Sequence, residues 1–172
     1  MKYSGFTLVE LLVVIAIIAI LAAMLMPAMN SVFRKAEVSQ AQTEIKSIET
    51  AVKAFYTDYG KFPHGNGNAA DYSYGGLGGY ANNSLLMNVL RGIDTTNNPR
   101  RTIYLEVSQD SLATNNFVDP WGQQYEITVD TGYDNRCNDM KGGYSVATNK
   151  IVAVWSRGRD ATANTADDIK SW

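Results

Sequence analysis

Gly5-Phe6-Thr7-Leu8-Val9-Glu10 opens an apolar segment that continues from Leu11 to Met26 without a polar side chain and ends at Pro27. With Phe6 to Val9 included, the segment is about as long as the roughly 20 residues that a helix needs to cross a bilayer. Glu10 interrupts it near its start, and a carboxylate in hydrocarbon is costly unless it is paired. The sequence therefore predicts a membrane-spanning helix in which Glu10 has a function.

Two other interpretations explain this segment less well. A secretory signal peptide has an apolar run of roughly 7–15 residues followed by a small-residue cleavage site. Here the run is longer, it contains an acid near its front, and it leads into Pro27-Ala28-Met29. A plain transmembrane anchor explains the length and apolarity of the segment but not Glu10.

The residues from Gly5 to Leu12 resemble the processing and methylation site of type IV pilins and pseudopilins, and the likeness extends to Pro27. It implies that residues 1–5 are a leader removed by a prepilin peptidase and that Phe6 becomes an N-methylated first residue. Residues 6–29 would be a helix of the inner membrane and of the filament core. Residues 30–172 would be a periplasmic globular domain.

Glu10 takes the acidic position of this family and is the predicted assembly residue. Cleavage after Gly5 creates a cationic amine at Phe6, and a helix rises only about 1.5 Å per residue, so both charges lie at one end of the helix. The carboxylate of one subunit can then pair with the amine of a neighbour. Such a pair in a low dielectric sets register more than it adds stability.

Composition excludes several classes of function. Lys and Arg total 15 against 17 Asp and Glu, a net charge of −2, which argues against a nucleic-acid partner. Cys137 is the single cysteine, so no intrachain disulfide can form, and its polar neighbours predict an exposed, unpaired thiol. Many type IV pilins close their C-terminal region with a disulfide, so its absence favours a pseudopilin. With His64 as the single histidine, zinc and Cys-His catalysis are disfavoured.

Beyond Asn30 the spacing of apolar residues predicts that the helix continues with one buried stripe. The stripe comprises Val38, Ala41, Ile45, Ile48, Val52 and Phe55, and the polar side comprises Lys35, Glu37, Gln42, Glu44, Lys46 and Glu49. Gly60 is the predicted C-terminal cap, and Pro63 prevents continuation. The run Phe55–Pro63 resembles the end of the long helix in major pseudopilins of type II secretion.

The remaining residues predict an α+β fold, in which a small antiparallel sheet packs on the second half of the long helix and a C-terminal loop follows. The expected elements are a loop over 64–80, a helix over Ser84–Arg91 capped by Asn83 or Ser84, a strand over Arg101–Val107, a turn at Asp119-Pro120-Trp121-Gly122, a strand over Gln124–Val129, and a hairpin of Tyr144–Thr148 with Ile151–Trp155. Asp-Pro-Trp-Gly followed by Tyr again resembles the major pseudopilins. The tyrosines of the loop either pack on the domain or contact a glycan.

The C-terminal segment carries three aspartates, Asp160, Asp167 and Asp168. Taken alone, their spacing is not that of an EF-hand and is typical of a solvated acidic tail. Together with the terminal Trp172, however, the segment is similar to the calcium loop of major pseudopilins. The resemblance implies that these three side chains bind Ca2+. The positive charges of Arg157 and Arg159 in the same segment would weaken that binding.

These features predict a structural subunit of the pseudopilus of a type II secretion system, and not an enzyme. The family implies a homo-oligomeric filament with other pseudopilins, driven by an inner-membrane platform protein and an ATPase, that exports folded proteins. One alternative is a type IV pilin or minor pilin for adhesion, motility or DNA uptake, and another is a membrane-tethered glycan-binding protein. An enzyme is disfavoured because no spacing pairs the aspartates Asp58, Asp71, Asp119 and Asp130.

Overall fold

A computed structural model of the chain describes residues 5–63, 71–77, 81–113, 115–138, 140, 144 and 149–172, and for residues 25–28 it describes the backbone alone. By its internal contacts the chain forms two compact units, one up to Glu37 and one from Val38 to Trp172. The first unit is helical. The second holds the rest of the helix and the strands that the structure describes, so the predicted α+β class is confirmed.

Helix α1 spans Leu8–Tyr59 and ends where the sequence predicts. Gly60 adopts a φ of 66°, and its N–H donates to the Tyr56 carbonyl at 2.8 Å, which is the geometry of a glycine cap. Among the described residues no single helix has the length and hydropathy of a membrane span. The segments Leu8–Met24 and Met29–Tyr59 meet that requirement only as a pair joined by a bend.

The second half of α1 buries the predicted stripe with two corrections. Ala41, Ile45, Ile48, Val52 and Phe55 are at most 3% exposed, whereas Val38 is 38% exposed. Glu49, which was predicted on the solvent-exposed side of the helix, is only 2% exposed. Its carboxylate is covered because it contacts three lysines: Lys53 at 2.6 Å, Lys46 at 3.2 Å and Lys150 at 3.2 Å.

Four strands form an antiparallel sheet: β1 (Tyr72–Tyr74), β4 (Glu126–Val129), β5 (Val152–Ser156) and β6 (Ile169–Lys170). They lie side by side in the order β1-β4-β5-β6. A separate two-stranded ribbon pairs β2 (Leu112–Ala113) with β3 (Asn116–Phe117). The other elements of the described residues are helix α2 (Asn83–Leu90) and a 3-10 turn (Gln109–Ser111). One apolar core joins the second half of α1, α2 and the sheet.

Of the predicted strand Gln124–Val129, residues Glu126–Val129 form β4. Tyr125, Ile127 and Val129, predicted on one face, are buried, but Glu126 and Thr128 are buried too. Both faces of this strand are therefore covered. The turn before it is also confirmed, since the Gly122 N–H donates to the Asp119 carbonyl at 2.9 Å.

Three predictions about the connections were wrong. The 64–80 loop contains β1, whose Tyr74 is fully buried and donates its hydroxyl to the Pro63 carbonyl at 2.6 Å. Residues 101–107 form no strand, because the N–H groups of Tyr104 and Leu105 donate to the Leu90 carbonyl and not to a neighbouring strand. The N-cap of α2 is Asn82, and its side chain makes no capping bond.

The predicted hairpin can be compared with the structure only in part. Its first strand, 144–148, lies outside the described residues except for Tyr144, which is not in a strand. Its second strand is β5, whose neighbours are β4 on one edge and β6 on the other. His64 and Tyr80 also lie outside the described residues.

Candidate functional site

Thr7 and Glu10 form a reciprocal cap at the start of α1. The Thr7 N–H and hydroxyl donate to Glu10 Oε2 at 2.8 and 2.7 Å, and the Glu10 N–H donates to Thr7 Oγ1 at 3.3 Å. This is the capping-box arrangement, in which two otherwise unpaired backbone N–H groups are satisfied together. The Thr-x-x-Glu spacing is the sequence signal of such a box, and it was missed. Gly5, which precedes the cap, has no atom within 4 Å of the position of a Cβ.

The first part of α1 presents an exposed apolar surface. The described large apolar side chains from Phe6 to Met24 are between 45% and 79% exposed. An exposed apolar surface of this extent marks a site of protein or membrane interaction. Glu10 is the one ionisable side chain among the described residues of this stretch, so its charge lies within the interaction surface.

At the other end of the chain, the three predicted aspartates meet around the hydroxyl of Thr165. Its Oγ1 lies 2.7 Å from Asp167 Oδ1, 3.2 Å from Asp168 Oδ1 and 3.4 Å from Asp160 Oδ1. The Thr162 carbonyl oxygen lies 3.0 Å away. One hydroxyl proton therefore faces four oxygen acceptors, and three of those belong to carboxyl groups.

The loop that carries these aspartates is closed by short contacts. The Asp160 N–H donates to Asp167 Oδ2 at 3.1 Å, and the Asn164 N–H donates to Asp168 Oδ2 at 2.8 Å. Gly158 has a φ of 64°, and a Cβ there would lie 2.4 Å from the Asp167 carbonyl oxygen. Only glycine fits this close approach of the two halves of the loop.

Tyr144 connects the loop to the aromatic side chains beneath it. Its hydroxyl donates to Asp168 Oδ2, and its ring makes edge-to-face contacts with Trp155 and Trp172 at centroid distances of 4.8 and 5.6 Å. Burial and the Asp168 carboxylate raise the pKa of Tyr144 above its ordinary value. Tyr144 and Thr165 are parts of this site that sequence reasoning did not single out.

Hydrogen bonds within the loop favour the ionised form of the Asp167 carboxyl. The Thr165 hydroxyl, with backbone N–H groups, holds the pKa of Asp167 below its ordinary value. Arg157 is directed elsewhere, since its Nη2 lies 3.8 Å from Glu126 Oε1. Among the described residues no group of three or more His, Cys, Asp or Glu side chains has metal-binding geometry as it stands. Ca2+ prefers carboxylate and carbonyl oxygens, which is the chemistry of the atoms around Thr165.

The other candidate side chains have structural roles. Cys137 is fully buried, so the prediction of an exposed thiol was wrong, and its Sγ contacts the Thr128 carbonyl at 3.5 Å. Burial, followed by the nearby carboxylates of Asp71 and Asp130, raises the pKa of this thiol to about 12. It is therefore neither exposed nor activated as a nucleophile.

The four aspartates considered for an enzyme each accept a hydrogen bond from a different residue. Asp58 accepts the Tyr104 hydroxyl at 2.7 Å, and Asp71 accepts the Asn138 N–H. Asp119 accepts the Ser156 hydroxyl at 2.5 Å, and Asp130 accepts the Asn135 N–H at 2.7 Å.

Comparison with known proteins gives one motif and two groups of relatives. Residues 1–26 match the prokaryotic N-terminal methylation motif. The chain is 43% identical over 66 residues to the type IV major pilin protein PilE1 of Neisseria gonorrhoeae, which covers 38% of this chain and 40% of the pilin. It is 26% identical over 171 residues to the type II secretion system core protein G of Dickeya chrysanthemi, which covers 99% of this chain and 87% of that protein.

A third relative, the type IV major pilin protein PilA of Myxococcus xanthus, is 40% identical over 61 residues, 36% of this chain and 28% of the pilin. The chain thus spans well under half the length of the pilins that it matches, whereas its match to the secretion protein runs almost end to end. No solved structure shows a significant match.

Proposed function

We propose that this chain is a structural subunit of a type II secretion pseudopilus. Its N-terminal motif and its relatives support membership of the type IV pilin and pseudopilin family. The observation that carries the proposal is the extent of similarity. The match to the type II secretion protein covers 99% of the chain, whereas the match to the gonococcal pilin covers 38% of it. The chain has no catalytic role in this proposal.

The exposed apolar surface of α1 supports a function in assembly. The N-terminal half of α1 exposes apolar side chains that suit the inner membrane first and the neighbouring subunits of a filament later. Cleavage after Gly5 would free the Phe6 amine, which a prepilin peptidase would then methylate. Glu10 would pair with that amine on a neighbouring subunit. The globular unit would face the periplasm while a platform protein, an ATPase and other pseudopilins assemble the filament.

We also propose that the C-terminal loop holds Ca2+ through Asp160, Asp167 and Asp168. The ion would supply positive charge that neutralises three carboxyl groups crowded around the Thr165 hydroxyl. Arg157 does not oppose it, since that guanidinium lies near Glu126. The chain has a single cysteine and so no intrachain disulfide. The ion would instead hold the C-terminal loop in its folded conformation, as disulfides do in other small exported domains.

The function is tested by complementation. A host whose type II secretion system lacks its core pseudopilin is supplied with this chain, and the secreted proteins in the medium are measured. Restored secretion is expected, with a matched Gly5→Pro variant that blocks cleavage as the negative control. A type IV pilus host that lacks its major pilin is tested in parallel. Surface filaments there, without secretion in the first host, would overturn the proposal in favour of a pilin.

A further inference from the structure

Glu126 is a buried carboxylate that joins β4 to the segment Gly75–Leu77, which follows β1. Its side chain is 3% exposed, and its Oε1 accepts the N–H groups of Gly76 at 2.9 Å and Leu77 at 3.1 Å. A Cβ at Gly75 would lie 1.8 Å from Glu126 Oε2. The segment therefore lies directly on the carboxylate, and the absence of a side chain at Gly75 makes this possible.

The nearest cation compensates this carboxylate incompletely. Arg157 Nη2 is 3.8 Å from Glu126 Oε1, which is beyond hydrogen-bond distance. Arg157 Nε is buried and has no hydrogen-bond partner within the part of the chain that the structure describes. Asp119, which is 3% exposed, also acts on this guanidinium. Opposite Glu126 on β5 stands the uncharged Trp155. Among the described residues, two buried carboxyl groups thus share one arginine.

Burial therefore dominates the titration of Glu126. It raises the pKa of this carboxyl to about 7, although Arg157 and the two backbone N–H groups oppose the rise. When the carboxyl is uncovered to water, its pKa returns towards the ordinary value near 4.5. The covered state binds the proton more tightly, so uncovering becomes easier as the pH rises from about 4.5 to about 7 and changes little above that.

We propose that Glu126 is a proton-controlled latch on the segment Gly75–Leu77. The protonated carboxyl stays covered, and the ionised carboxylate favours movement of the segment into solvent. Leu77 packs against a buried cluster that contains Cys137, Tyr144 and Trp155. Opening of the latch therefore exposes this cluster, which lies beside the C-terminal loop through the contact of Tyr144 with Asp168. The latch depends neither on filament assembly nor on a metal ion.

Amide hydrogen exchange tests the latch. The exchange of the Gly76 and Leu77 N–H groups is measured in the full chain in detergent micelles between pH 5.5 and 8, with the intrinsic pH dependence of exchange divided out. The opening constant is expected to rise by about tenfold or more over this range. In Glu126→Gln the rise disappears, whereas in the control Glu106→Gln, which alters an exposed carboxylate, it remains. A flat profile in the parent chain, or an undiminished rise in Glu126→Gln, would overturn the proposal.

A second measurement needs no variant. The Glu126 carboxyl is titrated by carbon NMR in the parent chain, and a midpoint above pH 6 is expected. A midpoint near pH 4.5 would overturn the latch even if Glu126→Gln fails to fold. Alkylation of Cys137, expressed relative to a free cysteine at the same pH, follows opening independently. Its relative rate should rise with the same midpoint, and a rate without pH dependence would contradict the proposal.

Discussion

Glu10 accepts two hydrogen bonds from Thr7, at 2.8 and 2.7 Å, so its carboxylate is satisfied within its own chain before any neighbour is present. The same group is the proposed partner of the Phe6 amine of another subunit. A carboxylate has acceptor sites enough for both. The cap therefore fixes the position and orientation of the Glu10 carboxylate at the start of α1, where the proposed pairing needs it.

The first prediction concerns this acid. Glu10→Ala should still be cleaved and inserted into the membrane, but it should form few filaments, because the neighbour's amine is left buried without a partner. Cleavage and methylation are read by mass spectrometry of the mature N-terminus, and filament yield is read by shearing and electron microscopy. Glu106→Ala removes an exposed glutamate elsewhere and is the control. A normal filament yield from Glu10→Ala would refute the pairing.

A second prediction separates two effects of a glycine in the C-terminal half. Gly158 and Gly122 both have positive φ values, 64° and 83°, but a Cβ meets the Asp167 carbonyl at 2.4 Å in the first case and nothing within 4 Å in the second. Gly122→Ala should cost about 1–2 kcal/mol, the ordinary penalty of the left-handed conformation. Gly158→Ala should cost more, because backbone atoms must move apart. Urea unfolding followed by tryptophan fluorescence measures both, and equal losses would contradict the close approach seen at Gly158.

Local pattern was enough to predict the elements that depend on local interactions. The end of α1 at Tyr59 follows from Gly60, and the turn at Asp119 follows from the order of its residues. Residues 101–107 alternate between apolar and polar types in sequence, but Ile103 is 61% exposed while Leu105 is buried. A strand also needs a partner strand, and here the Leu90 carbonyl is the hydrogen-bond acceptor instead. Sequence spacing carries no information about that choice.

The burial of Glu49 and Cys137 was predicted wrongly because it depends on residues outside their immediate sequence neighbourhood. Glu49 occupies a polar position of the helical repeat and is buried because Lys150, 101 positions away in sequence, covers it. Cys137 has polar neighbours in sequence but is buried against the Thr128 carbonyl. The three C-terminal aspartates were anticipated as a group, whereas Tyr144, which contacts Asp168 from outside the loop, was not.

A third prediction follows from the position of Lys150. Its Nζ contacts Glu49 Oε1 at 3.2 Å and donates to the Ser171 carbonyl, so it ties α1 to the C-terminal residues. Lys150→Met should lower the free energy of unfolding by about 2 kcal/mol, as expected for charge-assisted hydrogen bonds. The matched control is Lys46→Met. Lys46 contacts the same carboxylate but is 73% exposed, so its loss should cost at most about 1 kcal/mol. Equal losses would contradict a special role of Lys150.

A fourth prediction concerns the contribution of Glu49 to the free energy of unfolding at low pH. Burial would raise the pKa of Glu49, but hydrogen bonds from Lys53, Lys150 and Lys46 outweigh it and hold the value at about 2, below the ordinary 4.5. A lowered pKa means that this stability is complete above about pH 4.5 and is lost as the pH falls towards 2, with a total of order 3 kcal/mol. Glu49→Gln should therefore flatten the pH dependence of unfolding in that window, and Glu106→Gln should not. If Glu49→Gln loses stability below about pH 4.5 as steeply as the parent chain does, groups other than Glu49 control that loss.

The last prediction tests the proposed calcium loop. Three carboxyl groups converge on the Thr165 hydroxyl, which can donate to only one acceptor at a time, so a cation would relieve repulsion that the loop otherwise bears. A ligand bound only by the folded state raises the free energy of unfolding by about 2.7 kcal/mol at a hundredfold excess over its Kd. The full chain in detergent should therefore melt at a higher temperature with calcium than with a chelator. Asp167→Ala should abolish that difference. Asp110→Ala, which removes an exposed aspartate outside the loop, should retain it.

The same loop should also give a fluorescence signal on binding calcium. Because Tyr144 contacts both Asp168 and the rings of Trp155 and Trp172, calcium should change the tryptophan emission at a temperature where the chain is fully folded. Equal melting temperatures with calcium and chelator, together with unchanged emission, would exclude the ion. The loop would then be closed by its own hydrogen bonds. The proposed membrane and filament roles of α1 would be unaffected, because they depend on residues at the opposite end of the sequence.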